Sequence, residues 1–191
     1  MRVISGKFKG MEIPFVNAKF NDANTTPQKI KKALFSILGE DLEGKSFLDL
    51  YACSGQIGIE ALSRGAAFIV FNEIDRERFK FIKSILLPRF DPTHSSMIFN
   101  FHAFRCLRYL DSKDMSFDFI FLDPPYSKSN SETEIYYNIL DEINKYRIIK
   151  SGGKIIIQHR ANVKLNDYGS DLKYSGTKKY AKNSLFIFEK N

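Results

Sequence analysis

The amino-acid sequence predicts an α/β protein: a doubly wound, mostly parallel seven-stranded sheet with an antiparallel edge strand and a small N-terminal hairpin-and-helix extension. Three observations predict it. Apolar runs rich in Phe, Ile, Leu and Val alternate along the chain with helical stretches, the order of a sheet built by crossover connections. Most of those runs are near-continuously apolar, as strands covered on both faces require. From Leu172 onward the alternation stops, because residues 175–183 are too short and turn-rich for a packed crossover helix and call for an antiparallel pair at the sheet edge.

At the front, residues 2–5 and 11–13 flank Gly6-Lys7-Phe8-Lys9-Gly10 and read as a hairpin with a basic tip. A helix follows, with Thr26 as N-cap, Pro27 at the first helical position and Gly39 as stop. Its helical period puts Ile30, Ala33, Leu34, Ile37 and Leu38 on one face and Lys29, Lys32 and Ser36 on the other. Strands are predicted at residues 47–51, 68–73, 97–101, 118–123, 154–159, 172–174 and 184–189, and helices at residues 56–64, 75–87, 103–111 and 131–148.

A chain of 191 residues without repeats or a long linker fits one domain, in which residues 1–40 form the extension and residues 41–191 the core. The longest uncharged apolar run, residues 66–71, falls far short of the ~20 needed to span a bilayer and just below the ~7 of the shortest secretory segment, so a cytoplasmic protein is expected. Cys53 and Cys106 have neither CxxC spacing nor histidines in ligand register, which predicts a reducing compartment and no metal. Twenty-nine Lys and Arg against 22 Asp and Glu leave a net charge of +7, a field that favours polyanionic partners. No surplus amphipathic helix is left for a stable interface, so a monomer is expected.

Two segments carry chemistry. In the first, the apolar run ending in Asp49 passes through the small-residue turn Cys53-Ser54-Gly55 into a helix closed by Gly65. Such a turn lets a ligand approach the backbone, and the helix start offers free N–H groups. Glu73, at the end of the next run, stands where an acid accepts hydrogen bonds from ribose hydroxyls, so the unit reads as a site for an adenosine-containing cofactor. The first glycine of a dinucleotide GxGxxG is missing, which weighs against a nicotinamide.

The second is Asp123-Pro124-Pro125-Tyr126, delivered by an apolar strand to its C-terminal end, where α/β sheets bind ligands. The prolines stiffen the turn and remove backbone donors, leaving acceptors. An exocyclic amine on a nucleobase is a poor nucleophile, its lone pair being delocalised into the ring. Acceptors at Asp123 and at the Pro124 carbonyl would hold its N–H bonds and aim the lone pair at an incoming methyl, with Tyr126 stacked on the base. A base in a helix must first swing out of its stack to reach such a pocket.

On these residues the chain resembles the bacterial small-subunit ribosomal RNA guanine-N2 methyltransferase family, within the Rossmann-like class I S-adenosylmethionine-dependent enzymes. The resemblance covers nearly the whole chain. It rests on residues 1–10, the Ala33-Leu34-Phe35-Ser36-Ile37-Leu38 helix, Glu60-Ala61-Leu62-Ser63-Arg64-Gly65-Ala66, Asp123-Pro124-Pro125-Tyr126 and Lys150-Ser151-Gly152-Gly153. It implies methyl transfer from S-adenosylmethionine to N2 of one guanine in 16S ribosomal RNA, within an assembling small subunit. Carried over by residue, it implies cofactor contacts at Asp49, Ser54, Gly55, Glu73, His102 and Ala103, and catalytic roles for Asp123, Pro124 and Tyr126. Contacts to RNA are implied for Lys7, Lys9, Thr26, Lys29, Lys32 and Pro125.

The sequence departs from the family pattern at several points: Cys53 stands for a usual glycine, Asn24-Thr25-Thr26 for Arg-Pro-Thr, and Lys32 for an acid. His102 stands for an aspartate, Gln158 for a glutamate and Ala181 for a glycine. Two alternatives stay open at this point, a catalytically silent RNA-binding protein of the same fold and an amino-methyltransferase acting on DNA. Cys53, His94, Cys106 and His159 read as packing residues, not as nucleophiles or ligands.

Overall fold

The computed structural model describes residues 1–20, 25–91, 95–125, 132–161, 163, 165 and 171–191. The apolar runs pair into one sheet. Strands β1 (Ser46–Asp49), β2 (Phe68–Asn72), β3 (Ser96–Phe99), β4 (Phe117–Leu122) and β5 (Ile149–Arg160) run parallel. Strands β6 (Leu172–Tyr180) and β7 (Asn183–Lys190) are antiparallel, and the order across the sheet is β3-β2-β1-β4-β5-β7-β6. The order reverses between β1 and β4, so their C-terminal ends frame the crevice in which doubly wound sheets bind ligands.

Helices cover both faces, which is why the central strands are apolar on both sides. On one face, α1 (Gln28–Leu38), α2 (Gln56–Ser63), α3 (Arg76–Phe81) and α4 (Leu87–Phe90) pack on Phe47, Ile69, Phe71, Phe119, Phe121 and Ile156. On the other, α5 (Ala103–Asp111) and α6 (Glu132–Lys145) pack on Leu48, Val70, Ile120, Ile155 and Ile157. Among the described residues no helix is long and apolar enough to cross a membrane.

Several boundaries differ from the sequence reading. The helix expected at residues 75–87 is broken by a π turn over Ile82–Leu86 just before Pro88, which lacks the N–H that a regular helix needs. The segment read as a turn-rich connector after residue 174 instead continues β6 to Tyr180, with a register shift between Tyr174 and Gly176 that lets the edge strand follow β7. The N-terminal hairpin forms as a short antiparallel pairing, with a bridge between Arg2 and Glu12 and hydrogen bonds from Val3 N–H to Met11 O, Gly10 N–H to Val3 O and Ile13 N–H to Met1 O, too short to count as regular strands.

Thr26 does not cap α1. Pro27 occupies the N-cap position with no side-chain cap, and the Thr26 hydroxyl is used elsewhere, as described below. Gly39 stops the helix as expected, at φ 109° with its N–H donating to Phe35 O. The buried face contains Lys31 and Phe35 in addition to Ile30, Leu34 and Leu38. Lys31 is fully buried because Glu60 of α2 receives its ammonium at 3.1 Å, and it also donates to Arg2 O at 2.8 Å. The same Glu60 carboxylate accepts from the backbone N–H of Ile4 and Ser5 and from Arg64 Nε. One buried anion thus ties α1, α2 and the N-terminal segment together. The tip of that segment lies on the end of α2, where a Cβ added at Gly6 would fall 1.7 Å from Ser63 O, so only glycine fits.

Candidate active site

The crevice is built from strand ends and the loops that leave them. After β1 the chain turns through Cys53 and Gly55, both in the left-handed region at φ 49° and 71°, and Gly55 caps α2. For Gly55 this costs nothing, but Cys53 bears the Cβ–carbonyl crowding that disfavours left-handed residues. The turn is held because Cys53 N–H donates to Glu73 Oε2 at 2.7 Å and Gly58 N–H donates to Asp49 Oδ2 at 3.1 Å. Burial pushes the Cys53 thiol up to about 12, which removes it as a nucleophile.

Asp49 and Glu73 are both buried acids. Burial raises Asp49 to about 7, against the pull of the Gly58 N–H, and its Oδ1 has no hydrogen-bond partner among the described residues. Burial likewise raises Glu73, whose Oε1 accepts from Asp75 N–H and whose neighbour Arg78 stands 4.0 Å away. Asn72 joins the strand ends by donating to Leu50 O and Phe101 O, each at 3.1 Å. Beside them opens a mostly apolar pocket of about 160 Å³, lined by Tyr51, Glu73, Ile74, Phe101, His102 and Ala103 among others. His102 is the exposed N-cap of α5 and stacks on Phe104, while Ala103 is buried. Ser54 is buried in the turn and Gly55 with it.

These groups fit S-adenosylmethionine. An orphaned buried acceptor at Asp49 suits an ammonium, Glu73 suits a ribose diol, and the Ile74–Phe101–Phe104 slot suits a flat base. Of the residues assigned to the cofactor from sequence, Glu73, His102 and Ala103 line this pocket, while Asp49, Ser54 and Gly55 lie in the strand end and turn beside it; Glu73 also braces the loop.

Across the crevice, β4 ends in Asp123. Its carboxyl is pushed up to about 8 by burial first and by the charge of Asp49 second, while the Thr26 hydroxyl, donating to Oδ2 at 3.4 Å, pulls it back. Gln56 Nε2 donates to Thr26 O at 2.8 Å, so the start of α1 is pinned above the acid. Pro124 is buried, and Pro125 is exposed at the pocket mouth. Tyr126 and His94 lie outside the described residues. Lys7, Lys9, Lys29 and Lys32 are all exposed, with Lys29 and Lys32 on the first turns of α1 near the crevice. Cys106 and His159 are buried, and His159 stacks on Phe186 at 3.6 Å with its pKa lowered by burial to about 4.

The sequence reading missed Gln56, Asn72 and the apolar wall of Tyr51, Ile74 and Phe101. Asn72, a polar residue directly before Glu73 at the end of an apolar run, was the available signal. The Thr26–Asp123 contact had none, because 97 residues separate the two.

Comparison with known proteins agrees with this fold. A family model described as conserved hypothetical protein 95 matches residues 1–189. The chain belongs to that family. It is 31% identical over 190 residues to "Putative rRNA methyltransferase YlbH" of Bacillus subtilis (strain 168), covering 100% of this chain and 99% of that protein. It is 27% identical over 143 residues to ribosomal RNA small subunit methyltransferase D of Escherichia coli (strain K12), covering 74% of this chain and 67% of that protein. Among solved structures, a hypothetical protein of Thermus thermophilus superposes with a TM-score of 0.79 at 22% identity, covering 99% of each chain. An RNA methyltransferase from Salinibacter ruber in complex with S-adenosyl-L-homocysteine superposes with a TM-score of 0.63 at 13% identity, over 86% of this chain and 92% of that one. The sheet is thus that of the Rossmann-like methyltransferases.

Proposed function

We propose that this protein transfers a methyl group from S-adenosylmethionine to the exocyclic N2 amine of a guanine in small-subunit ribosomal RNA. The observation that carries the reading is the pairing of two acids across one crevice: Asp49, with an acceptor left open among the described residues, beside a mostly apolar pocket, and Asp123 at the head of a Pro-Pro turn. The relatives named as rRNA and small-subunit rRNA methyltransferases support the substrate class.

When bound, S-adenosylmethionine supplies an electrophilic methyl group. Asp49, Ser54, Gly55, Glu73, His102 and Ala103 would hold it. Asp123 and the Pro124 carbonyl accept the two N–H bonds of the guanine amine, which orients its lone pair, and Pro125 and Tyr126 border the base. The methylated amine carries one proton too many. Asp123, with a pKa lifted toward neutrality, is a better acceptor for that proton than an ordinary carboxylate. Lys29 and Lys32 on the first turns of α1 meet the RNA backbone beside the crevice, while Lys7 and Lys9, held at the Ser63 end of α2 away from the crevice, meet a more distant part of it. The chain acts as a monomeric single domain in the cytoplasm, on a partly assembled subunit.

The test is tritiated-methyl transfer to small ribosomal subunits, naked ribosomal RNA and duplex DNA, with nucleoside analysis of the product. Label recovered as N2-methylguanosine is expected. Label in DNA alone, or in no nucleic acid at all, would overturn the reading.

A further inference from the structure

The sheet register carries the basic character of this protein to a place the N-terminal lysines do not reach. Leu122 of β4 is paired with Ile157 of β5, Ile157 with Phe186 of β7, and Phe186 with Thr177 of β6. One residue further on, Gln158, Leu185 and Lys178 form the next cross-strand row, and Asp123 follows Leu122 at its head. Three strand spacings of about 4.8 Å put Lys178 about 14 Å from Asp123 along the rim of the crevice. Lys179 stands in the following row opposite Ser184, and Lys182 sits in the turn between β6 and β7.

All three lysines are exposed, and none has a carboxylate partner among the described residues. The opposite end of the sheet is different. There Lys150 and Lys45 share Asp118, Lys154 is bound to Glu189 at 3.5 Å, and Lys190 to Asp171 at 3.1 Å. Lys45, Lys150, Lys154 and Lys190 at the far end are thus held by carboxylates within the protein, with Lys173 of β6 exposed beside them, while at the crevice end Lys178, Lys179 and Lys182 form a run of three exposed cations. Edge strands commonly carry lysine to prevent sheet-to-sheet pairing, and β6 is an edge. That role covers Lys173, Lys178 and Lys179 along β6, but it does not require the basic run to continue into the turn at Lys182.

We propose that the β6–β7 tip, through Lys178, Lys179 and Lys182, grips the phosphodiester backbone of the RNA substrate a few nucleotides from the target base, on the side of the crevice opposite α2 and the N-terminal segment. The inference rests on the RNA-methyltransferase reading above. At the ~3.4 Å rise of a stacked strand, a reach of about 14 Å is about four nucleotides, so one continuous segment can satisfy both ends.

The experiment compares wild type with the triple variant Lys178→Gln, Lys179→Gln, Lys182→Gln, and with Lys154→Gln, Lys190→Gln as a far-end control. Single-turnover and steady-state methylation of ribosomal RNA are measured over a range of salt, and S-adenosylhomocysteine binding by calorimetry. The expected result is a rise in the RNA KM of at least about tenfold, kcat at saturation and S-adenosylhomocysteine affinity unchanged, and a salt slope shallower by about two. The far-end control should behave as wild type. An unchanged KM and slope in an active triple variant would overturn the inference and leave the function standing, and if that variant self-associates the lysines are edge guards. Loss of binding to anionic phospholipid vesicles with no change toward RNA would assign the tip to a membrane surface, against the inference. A wild type that neither binds nor methylates RNA would remove the function and the inference together.

Discussion

Raising the pH from 7 to 9 should increase methyl transfer, and Asp123→Asn should abolish that increase. Burial, with the nearby charge of Asp49, lifts the Asp123 carboxyl to about 8 against the pull of the Thr26 hydroxyl. A carboxyl with that pKa is about one-tenth ionised at pH 7 and about nine-tenths at pH 9, so a step that needs the carboxylate speeds up about tenfold. Asparagine keeps a carbonyl acceptor of the same shape but has nothing to titrate, so its slower rate should be flat over the window. Thr26→Val removes the donor that stabilises the carboxylate and should move the wild-type midpoint to higher pH. Asp49→Asn removes the like charge and should move it lower. The assay is single-turnover transfer to ribosomal RNA at saturating S-adenosylmethionine, with thermal melts at each pH to exclude unfolding. A wild-type profile flat between pH 7 and 9, or an Asp123→Asn variant that keeps the same rise, would refute the role given to this carboxyl.

Other outcomes follow from the same structure. Asp123→Ala should abolish transfer while leaving S-adenosylhomocysteine affinity within about tenfold by calorimetry, because the amine and not the cofactor loses its acceptor. Asp49 and Asp123 are raised to about 7 and about 8 when folded, so the folded state keeps protons that the unfolded chain has released. Their contribution to stability is full below about pH 4 and is lost as the pH climbs through 7 and 8, so Asp123→Asn should gain stability over wild type in urea melts at pH 8 and not at pH 4. Cys53→Gly relieves a left-handed cysteine at φ 49° and should stabilise the protein by about 0.5–1 kcal/mol in the same melts; a loss would mean that its packing outweighs the backbone strain. Glu60→Gln leaves Lys31 buried beside a neutral amide and should cost about 3 kcal/mol or more, read as a drop in melting temperature.

Most of the fold was legible in the sequence, because the signals that define strands and helices in a doubly wound sheet are local. A strand covered on both faces must be apolar at nearly every position, as in Phe117–Leu122, and no distant partner is needed to see it. The reading of Gly39 as a stop and of Asp49, Glu73 and Asp123 as strand-end acids likewise used only neighbours in the chain. Where a local rule competed with a distant contact, the distant contact won. Thr26 has the chemistry of an N-cap, yet Asp123 takes its hydroxyl. Lys31 lies one residue from the solvent face occupied by Lys32, yet it is buried, because Glu60 supplies a counter-charge inside the core. Pro88 converted a predicted continuous helix into two pieces joined by a π turn.

What the sequence alone determined, then, is the succession of elements and the residue types at their ends, since burial and backbone conformation act over a few residues. Strand order, register and the facing of charges were decided only by the tertiary structure. The row that runs from Asp123 to Lys178, the orphaned oxygen of Asp49 and the ion pair of Lys31 with Glu60 all join residues far apart in the chain. Such contacts form only when the loops between them have closed and water has been excluded, and no local periodicity records which partners will then meet.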